Sequence, residues 1–501
     1  MPFFENILKK LYSELFNKST QHDEGNHNVL PPQKYLKKDV LSTNQDRDPF
    51  IFQIGLDFGT SASKVVIRDL NIDKAWIFQH SETDDLSSML IPSVVLFEDG
   101  IFRIHDTIDT LYPENGLYHL KVALEKMALQ ELDNSIFNEY ALIIGKHCKY
   151  STCEIAKMGT IFFLTVWLKR IVENIKNKYS SFGSLDDDQI LVNMAIPVGD
   201  ICNENVRNLF HAVLSTAWKL CCNFTINSSI KIDILDKCIS SVNNVSSNNI
   251  CQVYPEVSAN IQAFIRSPAS SPDQTTIYFF TDVGAGTVDQ SVFTFAGIKE
   301  RKLNYFAGKV YPHGSRSIEY LACTEEPTIQ NLEYWRKIKE KGDDVKAIKN
   351  AKILVHSNVS HDTVNTLNEV KKCLHDGFGV TKLKTLQEKV KFIFSGGGCS
   401  DFPYKDSVSN SFKKYINDNH DLIVTSMPYP EDLRLSDPLK KYISRFYVAY
   451  GLSFPFDDLV DCSYPSANRV APSNSSGNLE CTCRGVNKNC VNCHGTGIIG
   501  N

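Results

Sequence analysis

Two stretches of the chain end an apolar run on an aspartate and follow it with glycine and a hydroxyl residue. The first is Ile54-Gly-Leu-Asp57-Phe-Gly59-Thr60-Ser61-Ala-Ser-Lys-Val-Val-Ile67. The second is Ile277-Tyr-Phe-Phe-Thr-Asp282-Val-Gly284-Ala285-Gly286-Thr287-Val-Asp289-Gln-Ser-Val-Phe293. A carboxylate at the end of a buried strand is costly unless it meets a cation. Glycines after it let backbone N–H groups approach phosphate oxygens closely, and Thr60, Ser61 and Thr287 add hydroxyl donors. Asp-x-Gly alone is an ordinary turn signal, but two copies on one strand–turn–strand frame argue for a shared purpose. No G-x-x-x-x-G-K-[ST] and no G-x-G-x-x-G occurs, so a phosphate here would not sit on a helix N-terminus of either familiar type.

A third glycine cluster, Ser395-Gly396-Gly397-Gly398-Cys399, follows the apolar run Phe392-Ile-Phe. Backbone without side chains there suits close approach to a sugar or base, and a plain strand-end turn is the alternative. Near the end, Cys481, Cys483, Cys490 and Cys493 supply four thiols within thirteen residues. Zinc favours four soft tetrahedral ligands, and two short cysteine loops followed by glycine form such a set. A redox-active Cys-x-x-Cys is the competing reading, but it leaves the Cys-x-Cys without a role.

These groups need a scaffold. Ile51–Leu56, Val65–Ile67, Ser93–Phe97 and Ile190–Ile196 read as strands, and Gly159–Lys178 and Asn203–Cys221 as helices. The pattern is mixed α/β, without dominance of parallel βαβ units. Residues 1–16 place Phe3, Phe4, Ile7, Leu8, Leu11, Tyr12 and Leu15 at helical spacing, an amphipathic helix that packs on its own body or docks elsewhere. Residues 17–49 read as a polar linker. With 53 basic against 58 acidic residues, the net charge of −5 gives no electrostatic footprint for nucleic acid. No apolar run reaches membrane-spanning length and the N-terminus lacks a cleavage signal. The reading is a cytoplasmic chain whose cysteines outside the tail are free thiols.

Hairpin, hairpin and Gly-Gly-Gly, in that order, resemble the two phosphate motifs and the adenosine motif of the actin, hexokinase and heat-shock chaperone ATPases. The details are most similar to DnaK-type chaperones. Asp282-Val-Gly-Ala-Gly-Thr-Val-Asp289 resembles their Asp-Leu-Gly-Gly-Gly-Thr-Phe-Asp, and Ile91-Pro-Ser-Val-Val95 their Thr-Pro-Ser-Tyr-Val strand. Glu256-Val-Ser-Ala-Asn-Ile-Gln-Ala-Phe264 resembles the helix before the second motif, and Ala449-Tyr-Gly-Leu-Ser453 the closing helix. Lys121 falls about where the family places its catalytic lysine. Lys352 is retained from the family's adenine-clamp helix, with Ile353 where a stacking arginine would stand. The Cys-x-x-Cys-x-Gly-x-Gly half of the tail is similar to the zinc repeats of DnaJ co-chaperones.

The resemblance implies an actin-like two-lobed α/β ATPase fold of duplicated ribonuclease-H-like lobes. Lobe I would span 50–270 with 443–466, lobe II 271–442, followed by a linker 467–480 and a zinc knuckle 481–497. It implies ATP held with Mg2+ by Asp57 and Asp282, and phosphates cradled by Gly59, Thr60, Ser61, Gly284, Ala285, Gly286 and Thr287. Lys121 would stabilise the transferring phosphoryl group, Glu256 would orient the attacking water, and Gly396, Gly397, Gly398 and Lys352 would border the nucleoside. Zn2+ would be held by the four tail cysteines. Fewer than fifty residues follow Leu459, so the peptide-binding domain of such chaperones has no counterpart in this sequence. The output would go to a protein partner or co-chaperone at the N-terminal helix or the tail. An actin-like filament ATPase, a small-molecule kinase and a nucleotide-binding scaffold without hydrolysis are the alternatives.

Overall fold

The computed structural model describes residues 47–463 except 84, 107–112, 146–147, 198–202, 243–249, 268–275, 297–301, 326–328, 344, 376–389, 400–403 and 418–421, together with 479–480 and 498–499. The N-terminal helix, most of both linkers and the four tail cysteines lie outside the described residues.

Three strands open the body, β1 (Ile51–Asp57), β2 (Ala62–Asp69) and β3 (Lys74–Ile77), each antiparallel to the one before. On the other side of β1 lie β4 (Gln189–Ile196) and then β5 (Cys251–Pro255), both parallel to it. A second sheet repeats this plan. Its antiparallel strands are β6 (Ile277–Val283), β7 (Val288–Ala296) and β8 (Lys302–Tyr311), flanked on the β6 side by parallel β9 (Val390–Ser395) and β10 (Ile423–Thr425). Leu433–Arg434 then returns to pair with β3, and Cys462–Ser463 pairs with β8.

The helices follow from apolar spacing. Those that bear on the site are α1 (Leu120–Ala128), α2 (Thr152–Lys178), α3 (Glu204–Asn223), α4 (Glu256–Asn260) and α5 (Gln262–Arg266), then α6 (Ser317–Ala322), α7 (Ile329–Lys341), α8 (Lys346–His375), α9 (Tyr404–Ile416) and α10 (Tyr447–Leu452). One face of the first sheet buries Phe52, Ile54 and Leu56 against Phe162 of α2 and Phe210 of α3. One face of the second buries Phe279 and Phe392 with Val355 and Val359 of α8 and Phe412 of α9. The opposite faces meet α4, α5 and α10. Ala259 and Ala263 join the first sheet's core there, while Val257, Ile261 and Phe264 join the second's.

Side-chain-free backbone makes that meeting close. A Cβ at Gly55 would lie 2.1 Å from the Ala449 carbonyl oxygen, and one at Gly451 would lie 1.9 Å from that of Ala259. Helix α10 therefore touches both β1 and α4 backbone to backbone. All nine cysteines with described side chains are free thiols.

Candidate functional site

Asp57 is the last residue of β1 and is 2% exposed. The ladder register sets Lys64 of β2 directly opposite, and its Nζ reaches Asp57 Oδ2 at 2.8 Å. The other oxygen, Oδ1, is buried without a hydrogen-bond partner. The turn carrying Gly59, Thr60 and Ser61 follows.

The second hairpin is built on the same ladder with different chemistry. Asp282 of β6 stands opposite Asp289 of β7, and both are buried. Asn260 of α4 donates from Nδ2 to Asp282 Oδ2 at 2.9 Å, and Ser395 Oγ donates to Asn260 Oδ1 at 2.9 Å. One oxygen of each aspartate, Oδ1 in both, has no partner. Gly284, Ala285, Gly286 and Thr287 form the turn, closed by Gly284 N donating to the Thr287 carbonyl.

The third glycine cluster lies on this turn. Gly396 has φ +88°, and a Cβ there would come within 2.2 Å of Asp282 Oδ1. Gly398 N donates to the Val283 carbonyl. A Cβ on Gly397 would meet Arg445 Nε at 3.1 Å, so that guanidinium lies over the cluster. The tips of the two hairpins face each other, since a Cβ on Gly286 would sit 3.5 Å from Thr60 Cγ2.

Lys121 is no surface lysine. It is 6% exposed on α1, with Nζ 2.5 Å from Oε2 of Glu256, the first residue of α4. Burial opposes its charge, but Glu256, Asp57 and Asp289 outweigh that and raise its pKa. Just before α1, His119 adopts a left-handed φ of 60°, and burial, with the Arg316 charge, lowers its pKa to about 4.

Glu256, Asp282 and Asp289 present oxygens within 4.8 Å of one another. Burial first, then Glu256 and Asp57, push the Asp282 carboxyl up to about 7. Burial, Glu256 and Asp282 raise Asp289 as well. Four carboxylates (Asp57, Glu256, Asp282, Asp289) thus face two ammonium groups, Lys64 and Lys121, an excess of two negative charges when all are ionised. That excess, with three orphaned buried oxygens, fits a hard divalent cation with oxygen ligands.

Lys352 sits half-buried on α8, and no hydrogen bond or ion pair among the described residues joins it to a hairpin. Its neighbour Ile353 is 64% exposed. Two cavities, of about 610 and 560 Å3, lie elsewhere, beside Tyr311 and Glu369 and beside Gln79 and Arg434. Sequence reasoning missed Lys64, Asn260 and Ser395 and gave Asp289 no role. A lysine interrupting the apolar run after the first turn was the available signal for Lys64. No protein-family model matches the chain, and no curated protein matches it closely enough to count as a relative.

Proposed function

We propose that the chain is a magnesium-dependent ATPase with an actin-like arrangement of two ribonuclease-H-like halves, working as a DnaK-like switch. The carrying observation is the meeting of two aspartate–glycine turns over a carboxylate cluster two negative charges in excess. The repeated strand plan, three antiparallel strands and then two parallel ones in each sheet, supports the same reading.

On this reading Asp57, Asp282 and Asp289 would hold magnesium, which when bound neutralises phosphate charge. The N–H groups of the two turns bind the phosphate chain, with Thr60, Ser61 and Thr287 adding hydroxyls. Lys64 can pass from Asp57 to a phosphate oxygen, because its side chain keeps 20% exposure. Lys121 stabilises charge on the transferring group, and Glu256, which it holds, accepts the proton of the attacking water. Gly396, Gly397 and Gly398 give the nucleoside bare backbone to lie on.

Zinc on Cys481, Cys483, Cys490 and Cys493, and a protein partner at the tail or N-terminal helix, belong to the same proposal. Leu479–Glu480 pairs with Ile498–Ile499, which brings together the two ends of the cysteine segment. No helix among the described residues is long and apolar enough to cross a membrane. Phosphate release from magnesium ATP by the purified chain tests the reading: Glu256→Ala should remove it. A parent chain that releases no phosphate and binds no nucleotide would refute it.

A further inference from the structure

The second turn does not stand alone. Residues 312–316, between β8 and α6, run along its outer side. Gly314 N donates to the Gly286 carbonyl at 3.3 Å, Ser315 N to that of Gly284 at 3.0 Å and Arg316 N to that of Ala285 at 2.9 Å. The approach is close enough that a Cβ on Gly314 would lie 2.5 Å from Thr287 N.

This strap sets the direction of the turn's donors. In a trans peptide the C=O and the following N–H point opposite ways, and the described chain has no cis bond. With the carbonyls of Gly284, Ala285 and Gly286 turned onto the strap, the N–H groups of Ala285, Gly286 and Thr287 turn away from it. Successive N–H groups on one side of a turn form an anion-binding concavity.

Three helices hold the strap from outside. Lys339 of α7 donates from Nζ to the Ser315 carbonyl at 3.0 Å and pairs with Glu319 of α6 at 2.9 Å, both side chains almost wholly buried. Asp362 of α8 holds the His313 ring, Oδ2 to Nδ1, at 2.5 Å. Tyr404 of α9 donates its hydroxyl to the His313 carbonyl at 3.1 Å. Of these, Lys339 grips the residue whose own N–H engages the turn.

We propose that Lys339 is a positioning residue: through Ser315 it fixes the strap, and the strap aims the N–H groups of Ala285, Gly286 and Thr287 at a bound phosphate. The proposal rests on the reading of the second turn as a phosphate cradle. Donors that hold substrate and transition state alike act on KM rather than kcat.

The test is Lys339→Met in the full chain, with amide hydrogen exchange read before any nucleotide is added. The amides of Gly314, Ser315 and Arg316 should exchange at least about tenfold faster, while those of β1 and β2 keep their rates. KM for magnesium ATP should rise about tenfold at a kcat within about twofold of the parent, and Lys339→Arg should restore both. If Glu319, left buried with Arg316 Nε at 4.0 Å as its remaining ion pair, prevents folding, Lys339→Met with Glu319→Gln carries the same test. Unchanged exchange at residues 314–316, or acceleration spread equally over β1 and β2, overturns the strap. Faster exchange with unchanged KM overturns its role in positioning. A parent chain that ignores ATP sinks the ATPase reading instead, and the exchange data still decide whether Lys339 holds the strap.

Discussion

The two hairpins share a frame and set different residues opposite their aspartates. Opposite Asp57 the ladder sets Lys64; opposite Asp282 it sets Asp289. The first turn carries its own counter-ion, so its carboxylate is compensated in the bare protein. The second confronts two buried acids, and among the described residues only the Asn260 amide donates to Asp282. A bare second hairpin is therefore in electrostatic debt, and protons or an outside cation must relieve it. One strand-pairing plan thus yields one carboxylate with its own counter-ion and one pair of buried acids without a lysine opposite.

The largest expected effect is on turnover. Asp282→Asn should reduce magnesium-dependent phosphate release by about a hundredfold or more, the scale of losing a group that organises charge in a reacting site. Asp57→Asn should do likewise, and undiminished turnover in both variants would remove the site.

Stability should separate the two aspartates by sign. Without added cation at pH 8, Asp282→Asn should stabilise the protein by on the order of 1–3 kcal/mol, because it removes a buried carboxylate whose ionisation folding disfavours. Asp57→Asn should destabilise by about 1–2 kcal/mol, a value reduced by the partial exposure of Lys64. Urea unfolding with magnesium chelated decides it, and equal signs would erase the contrast.

The pH dependence follows from the same asymmetry. The folded Asp282 carboxyl is raised from 3.8 to about 7, so between those values the folded state holds more protons than the unfolded one. Stability of the cation-free protein should therefore fall as pH rises through that window and level off above it. The raised Asp289 adds in the same direction. Magnesium affinity should climb over the same window, since proton and cation compete for one carboxylate. Titration calorimetry at pH 6 and pH 8 checks this, and equal affinities would contradict it.

The smallest effect concerns the base. With Ile353 exposed and Arg445 lying over Gly397, Arg445→Ala should weaken ATP and GTP binding alike, by about 0.5–2 kcal/mol. Selective loss of ATP would assign Arg445 to adenine recognition instead.

What was legible in the sequence was local. An apolar strand, an aspartate and a glycine turn announce themselves within a few residues, so both hairpins could be placed before any coordinates. The start of α2 could have been: Ser151 and Glu154 bond reciprocally at its first turn, a four-residue signal, yet the expected helix began at Gly159. Asn260 and Ser395 were not legible. They are small polar residues in buried runs, and only tertiary packing joins α4 to β9 around Asp282. Lys121 was placed by resemblance alone, because nothing in Leu-Lys-Val-Ala-Leu-Glu tells a buried ammonium from a solvated one. The strap was hidden for a similar reason, since Pro-His-Gly-Ser reads as an ordinary turn.

Helix α10 also sets a timetable. Arg68 of β2 is fully buried, and its Nε donates to Ser453 Oγ across 385 residues of chain, while Gly55 waits for Ala449. A ribosome adding about 5–20 residues per second leaves the first two strands without this cover for roughly 20–80 s. During that interval the face of β1 and β2 that α10 will occupy, which presents Gln53, Gly55, Val66 and Arg68, stays open. A message truncated before the codon for Tyr447 would leave both hairpins translated, with the surface on which they close never made.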